Sequence, residues 1–196
     1  MKARTAEIRR ITRETKINIR INLDGNGSAQ VNSGIPFLDH MLTLLARHSL
    51  CDLSLKAQGD LAVDLHHTVE DIGLCLGTAV NKALGTRNGI RRYGWAYAPM
   101  DDALSRAVID LGGRPFLAYE TANKRRKILN FDLSLIAEFL QAFCVQARLN
   151  LHLVQLYGRE PHHAYESMFK AFALALRYAV ARDTKEKGVP SSKGTL

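Results

Sequence analysis

His66-His67-Thr68-Val69-Glu70 and His162-His163-Ala164-Tyr165-Glu166 are two copies of one pattern, His-His-x-x-Glu, 96 residues apart. Each opens an apolar-periodic run, the first reaching Ala83-Leu84 and the second Ala179-Val180, and both runs read as helices. Residues three and four apart share a helical face, so each glutamate can point the same way as a histidine of its own motif. Adjacent histidines sit about 100° apart around a helix and cannot share a face. Each pair therefore offers nitrogens in two directions, which suggests two metals, or one metal and a substrate.

Working outward, the elements around the motifs also repeat. Residues 4–12 and 16–23 read as strands, the second with Ile17, Ile19, Ile21 and Leu23 on one face. Asp24-Gly25-Asn26-Gly27 is a turn signal, and a short strand from Ser28 to Asn32 is expected to complete a hairpin. Pro36 opens a helix, a strand follows from Asp52 to Ala57, and the first His-His helix ends near Gly85. Strands then recur at 93–98, 103–110 and 115–120, followed by a helix over about 133–148, a strand over 150–156 and the second His-His helix. An offset of 98 places His40 on Glu138, Leu53 on Leu151 and Leu55 on Leu153. Both halves read β-β-β-α-β-α, an internal duplication. The expectation is an α+β fold of two four-stranded sheets with the helices packed between them. Residues 1–89 make the first half-repeat, 90–183 the second, and 184–196 a polar, Gly/Pro/Ser-rich tail.

Composition narrows the class. A chain of 196 residues with 46% hydrophobic and 23% charged residues fits a globular protein with a sizeable core. No apolar run approaches the roughly 20 residues of a membrane span. The charged start Met1-Lys2-Ala3-Arg4-Thr5-Ala6-Glu7 lacks an apolar signal core, so a cytoplasmic location is expected. Cys51, Cys75 and Cys144 show no C-x-x-C spacing and read as small buried hydrophobes. A net charge of +8 suits an anionic partner, a phosphorylated small molecule or nucleic acid. The one tight basic run, Lys124-Arg125-Arg126-Lys127, has no interleaved aromatics and reads as solvated surface. Nucleic-acid binding is therefore disfavoured.

The potential ligands are His40, His66, His67 and Glu70 from the first half, and Glu138, His162, His163 and Glu166 from the second. If one metal takes His40, His67, His162 and Glu166, the internal symmetry gives a second set of Glu138, His163, His66 and Glu70. Imidazole with carboxylate and no thiolate suits Mn²⁺, Fe²⁺, Co²⁺ or Zn²⁺. The spacing is not that of a zincin protease. His48 and His152 read instead as hydrogen-bonded core residues.

At these residues the chain resembles the imidazoleglycerol-phosphate dehydratases. The likeness is carried by Gly34-Ile35-Pro36-Phe37-Leu38-Asp39-His40, by Asp64-Leu65-His66-His67-Thr68-Val69-Glu70-Asp71 and by Pro99-Met100-Asp101-Asp102-Ala103-Leu104. It continues through His162 to Glu166, Lys170 and the tail Pro190-Ser191-Ser192-Lys193-Gly194. The resemblance implies a hydro-lyase of histidine biosynthesis that makes imidazole acetol phosphate from imidazole glycerol phosphate. It also implies two Mn²⁺ ions per active site and an assembly of 24 subunits with sites between neighbours. Many relatives carry histidine where Glu138 stands. Glu14 matches the family's substrate-contacting glutamate, although alone it reads as a surface residue between strands. Arg92 and Arg114 match the phosphate-side arginines, and Lys170, Ser191, Ser192 and Lys193 complete the implied substrate-binding set, with the tail closing over the phosphate. Glu14 and Glu166 are the residues expected to move protons. The substrate proton has no adjacent carbonyl to acidify it, so the imidazole ring is the expected electron sink. A dinuclear metallohydrolase acting on a phosphoester is the alternative enzyme reading.

Overall fold

The computed structural model describes residues 3–196; Met1 and Lys2, part of the charged N-terminal stretch, lie outside the described residues. The first half runs β1 (Thr5–Ile11), β2 (Thr15–Asn22), β3 (Ala29–Asn32), α1 (Pro36–Ser49), β4 (Asp52–Gly59) and α2 (His66–Leu84). The second runs β5 (Tyr93–Met100), β6 (Ala103–Asp110), β7 (Phe116–Glu120), β8 (Lys127–Ile128), β9 (Phe131–Asp132), α3 (Leu135–Ala147), β10 (Asn150–Tyr157) and α4 (Pro161–Val180). The two large sheets share one topology. Their strand orders are β1-β2-β4-β3 and β5-β6-β10-β7, and in each the last strand is parallel to its neighbour while the other pairs are antiparallel. The α+β duplication is thus present in the chain path itself.

One expectation is corrected. The segment Ser28–Asn32 does not complete a hairpin with β2; β3 lies at the far edge of its sheet, parallel to β4, with Val31 opposite Leu55. Asp52 Oδ1 accepts the backbone N–H groups of Asn26 and Ser28, at 2.9 and 3.0 Å, and so carries the Asp24–Gly27 turn across to the start of β4. Helix α1 then supplies the crossover that parallel neighbours require. The small β8–β9 hairpin was also not expected, and the basic run leads into it.

Alternation sets the layers. In β2, Thr15, Ile17, Ile19 and Ile21 are buried while Lys16, Asn18 and Arg20 are exposed. Both apolar sheet faces turn inward onto the helices. Helix α2 covers β1 and β2 and packs on α3; α4 covers β5 and β6 and packs on α1. Phe139 and Phe143 of α3 meet Phe169 and Phe172 of α4, with ring centroids 6.2 Å apart for Phe139–Phe169 and 5.4 Å for Phe143–Phe172. Gly73 and Gly77 bring α2 close to α3: a Cβ on them would lie 2.6 Å from the Phe139 carbonyl oxygen and 2.5 Å from that of Phe143. Each half therefore buries its helices against those of the other. The three cysteines are buried and free, and burial pushes the Cys144 thiol up to about 12. His152 is not in the core; it sits exposed on β10 with its ring 5.9 Å from Phe116. No helix among the described residues is long and apolar enough to cross a membrane.

Candidate functional site

Helices α1 and α4 start at prolines, Pro36 and Pro161, whose fixed φ suits the first helical position. Their N-terminal turns bring His40 of the first half to His162 and Glu166 of the second. Glu166 Oε1 accepts from His40 Nε2 at 2.8 Å and from His162 Nε2 at 3.1 Å, and the two imidazoles stack with centroids 5.3 Å apart. Lys170, one turn further along α4, places Nζ 2.8 Å from Glu166 Oε2. Burial alone would raise the Glu166 pKa; hydrogen bonds and charge from Lys170, then His40, outweigh it and hold the carboxyl at about 2. One atom from each of His40, His162 and Glu166 lies within 4.8 Å of the others, the one such group of three found among the described residues.

The symmetry-related turn on α2 is looser. His66 Nε2 stands 3.5 Å from Glu70 Oε2, and both side chains are about half exposed. Asp64 Oδ1 accepts the backbone N–H of His66 at 2.8 Å and supports this helix start. Glu138 is exposed on α3 and does not close a third ligand onto this pair. Asp71 is buried and takes hydrogen bonds from Arg10 and Thr15, fixing the motif's helix to β1 and β2. Ser167 does the corresponding work on α4 through a 2.6 Å bond to Ser105 of β6.

The expected fourfold grouping of His40, His67, His162 and Glu166 does not form within one chain. His67 points to the other side of its helix, where its Nδ1 lies 2.9 Å from Asp60 Oδ2 and 3.9 Å from Glu14 Oε2. His163 likewise leaves its motif and pairs Nδ1 with Asp102 Oδ1 at 2.8 Å. The hydrogen bond to Asp60 raises the His67 pKa, and that to Asp102 raises the His163 pKa. The physical reason is the 100° step between adjacent helical residues, which sends the two histidines of each pair to different neighbours.

The residues expected at the phosphate also divide. Arg92, Arg114, Ser191, Ser192 and Lys193 surround one open cleft of about 390 Å³, joined by Arg148 and the Gly112-Gly113 turn. Arg92 takes a left-handed φ of 69° and is held by Asp110, with Nε–Oδ1 at 2.7 Å and Nη2–Oδ2 at 3.1 Å. Its remaining Nη1 donates to the Pro190 carbonyl at 2.8 Å, so the tail lies against the cleft. Lys170 belongs instead to the Glu166 cluster.

Comparison with known proteins decides the family. The imidazoleglycerol-phosphate dehydratase family model matches residues 33–176. The chain belongs to that family. It is 53% identical over 197 residues to the imidazoleglycerol-phosphate dehydratase of Nitrosomonas europaea, covering all of both chains. It is 52% identical to that of Thioalkalivibrio sulfidiphilus, again over the full length of both. The crystal structure of the Staphylococcus aureus enzyme superimposes with a TM-score of 0.82 at 36% identity, covering 91% of this chain and 99% of that one. The Pyrococcus furiosus structure, a complex with (S)-C348, gives 0.82 at 34% identity over 96% of this chain and 100% of that one. Members of the family are hydro-lyases of histidine biosynthesis.

Three residues in contact with the motif histidines had no role from sequence: Asp60, Asp101 and Asp102. A loop carboxylate carries no periodic signal. Asp102 was nonetheless open to discovery, because the half-to-half register that superposes β2 on β6 places it on Glu14.

Proposed function

We propose that the chain dehydrates D-erythro-imidazole glycerol phosphate to imidazole acetol phosphate in a reaction that depends on Mn²⁺, two ions per active site. The observation that carries this reading is the convergence of His40, His162 and Glu166 from the two halves, in a chain 53% identical to a dehydratase of that name. Three donor atoms within 4.8 Å, two of them imidazole nitrogens and one a carboxylate oxygen, fit a divalent cation of this type. His40, His67, His162 and Glu166 would hold one ion, and His66, Glu70, Glu138 and His163 the other. When bound, such ions supply electrostatic stabilisation to a developing imidazolate.

The remaining work falls to side chains of this chain. Arg92 and Arg114 bind phosphate through planar forks, with Asp110 fixing the first of them. Ser191, Ser192 and Lys193 close on the phosphate and exclude water from the reacting carbons. Glu14, half exposed beside His67, moves a proton of the substrate's side chain, and Glu166 is either a ligand or a second base.

In one chain the His40 cluster lacks His67, and the phosphate cleft is lined by none of the motif histidines. Sites completed between neighbouring copies, in a 24-subunit assembly located in the cytoplasm, meet both facts. The outer face of the second sheet supports self-association. Tyr93, Trp95, Tyr97 and Phe116 are there 49%, 65%, 56% and 56% exposed, more aromatic surface than a monomer ordinarily leaves in water. The test is turnover of imidazole glycerol phosphate by chelator-stripped protein with and without added Mn²⁺. Ketone formed only with metal, phosphate retained, is the expected result; release of inorganic phosphate or metal-independent turnover would overturn the reading.

A further inference from the structure

His67 and His163 are treated alike by carboxylates from different parts of the fold. Asp60, in the β4–α2 connection, takes Nδ1 of His67 at 2.9 Å, and Asp102, at the β5–β6 turn, takes Nδ1 of His163 at 2.8 Å. The duplication does not relate these two aspartates. Superposing β2 on β6 places Asp102 on Glu14, and the sheet register past the β-bulge between Gln155 and Tyr157 places Asp60, opposite Glu14, on Arg159.

In the second half Arg159 stands where Asp60 stands in the first, and the β-turn residue Asp102 supplies the carboxylate that reaches His163. Asp102 is held in place by the threshold of α4, its Oδ2 accepting from the backbone of Arg159 at 2.7 Å and of Glu160 at 3.2 Å. In the first half Asp60 occupies the place, and Glu14 stands back at 3.9 Å. Asp60 Oδ1 is buried without a hydrogen-bond partner, so the side chain's hydrogen bonding is directed to His67.

A neutral imidazole that donates Nδ1–H to a carboxylate has an unprotonated Nε2, the form a metal binds; that of His163 also faces Asp101 Oδ2 at 3.5 Å. His40 and His162 are in the opposite condition, with Nε2–H given to Glu166. We propose that Asp60 and Asp102 are positioning residues that fix His67 and His163 as Nε2 ligands, and that Asp60's presence frees Glu14, the counterpart of Asp102, to meet substrate. The inference rests on the metal reading above and adds to it a division of labour between the halves.

The test uses the full-length, metal-stripped protein labelled with ¹⁵N-histidine. Solid-state NMR at pH 8.5 reads ring tautomers, with resonances assigned through His67→Ala and His163→Ala. Free Mn²⁺ is titrated by electron paramagnetic resonance. Nδ1–H tautomers are expected for both histidines in the parent. Asp60→Ala and Asp102→Ala each lose the tautomer of their own histidine only and weaken Mn²⁺ binding about 10- to 100-fold. Asp60→Asn and Asp102→Asn, which keep an acceptor oxygen, restore part of both, and Asp102→Asn stands in if the alanine variant does not fold. Asp102→Ala costs little further affinity in a His163→Ala background and its full cost in a His67→Ala background. Glu14→Gln leaves tautomers and Mn²⁺ affinity as in the parent while lowering kcat. Nε2–H tautomers in the parent, or equal costs of Asp102→Ala in both backgrounds, would overturn the proposal. A parent with both tautomers in place that binds no Mn²⁺ would overturn the metal reading instead.

Discussion

Replacing Glu166 by glutamine in metal-stripped protein removes a buried charge on which three cationic or donor groups converge. A folded-state pKa of about 2 against an ordinary 4.5 corresponds to about 3 kcal/mol, at roughly 1.4 kcal/mol per pKa unit. His40 and His162 are 41% and 43% exposed, and solvent screening reduces the expected contribution to about 1–2 kcal/mol. Because the folded pKa is depressed, this stabilisation is complete above pH 4.5 and is lost as pH falls toward about 2. Urea denaturation of parent and Glu166→Gln should therefore differ by about 1–2 kcal/mol at pH 7, and the two curves should draw together between pH 4.5 and pH 2.5. A difference that stays constant across that range would show that the loss is one of shape or hydrogen-bond geometry rather than of charge. A variant more stable than the parent at pH 7 would show that desolvation of Glu166 outweighs its partners.

Further expectations follow from other contacts. Gly77→Ala gains up to about 1 kcal/mol of helix propensity but drives a Cβ to 2.5 Å from the Phe143 carbonyl; overpacking at about 1–3 kcal/mol wins, and thermal unfolding should show a lowered Tm. Asp110→Asn leaves Arg92 without its charged partner, and under the proposed function KM for the phosphorylated substrate should rise several-fold with a smaller change in kcat, read by steady-state kinetics. His67 and His163 have raised pKa values, so protons compete with metal from above pH 6.5 downward. The apparent Mn²⁺ dissociation constant should rise as pH falls through that region, and a flat profile would exclude both as ligands.

Much of the fold could be read because the duplication preserves periodicity. The alternation of Ile17, Ile19 and Ile21 and the apolar runs behind each His-His pair survive in both halves, at offsets that the strands and helices follow. What escaped was set by contacts distant in sequence. The place of β3 depends on a carboxylate, Asp52, twenty residues beyond the strand's end. The exposure of His152 depends on which face of β10 meets the helices, a question its Asn-Leu-His-Leu pattern answers only once the alternation is taken strictly. At the site, His40, His162 and Glu166 were legible as a group because the symmetry pairs α1 with α4. The in-chain partner of His67, Asp60, was not legible, because spacing shows that adjacent histidines diverge but not what each one meets.

The interleaving of the helix layer bears on how such a chain arose. Helix α1 of the first half finds its partner in α4, and α3 of the second finds its partner in α2. A half-length ancestor would have left exposed the helix faces that now meet the other half, unless two copies paired through them. Joining two such copies end to end would turn a concentration-dependent encounter into an intramolecular one. It would also release the two motifs from having to stay identical, which is what allows position 14 to carry glutamate where position 102 carries aspartate.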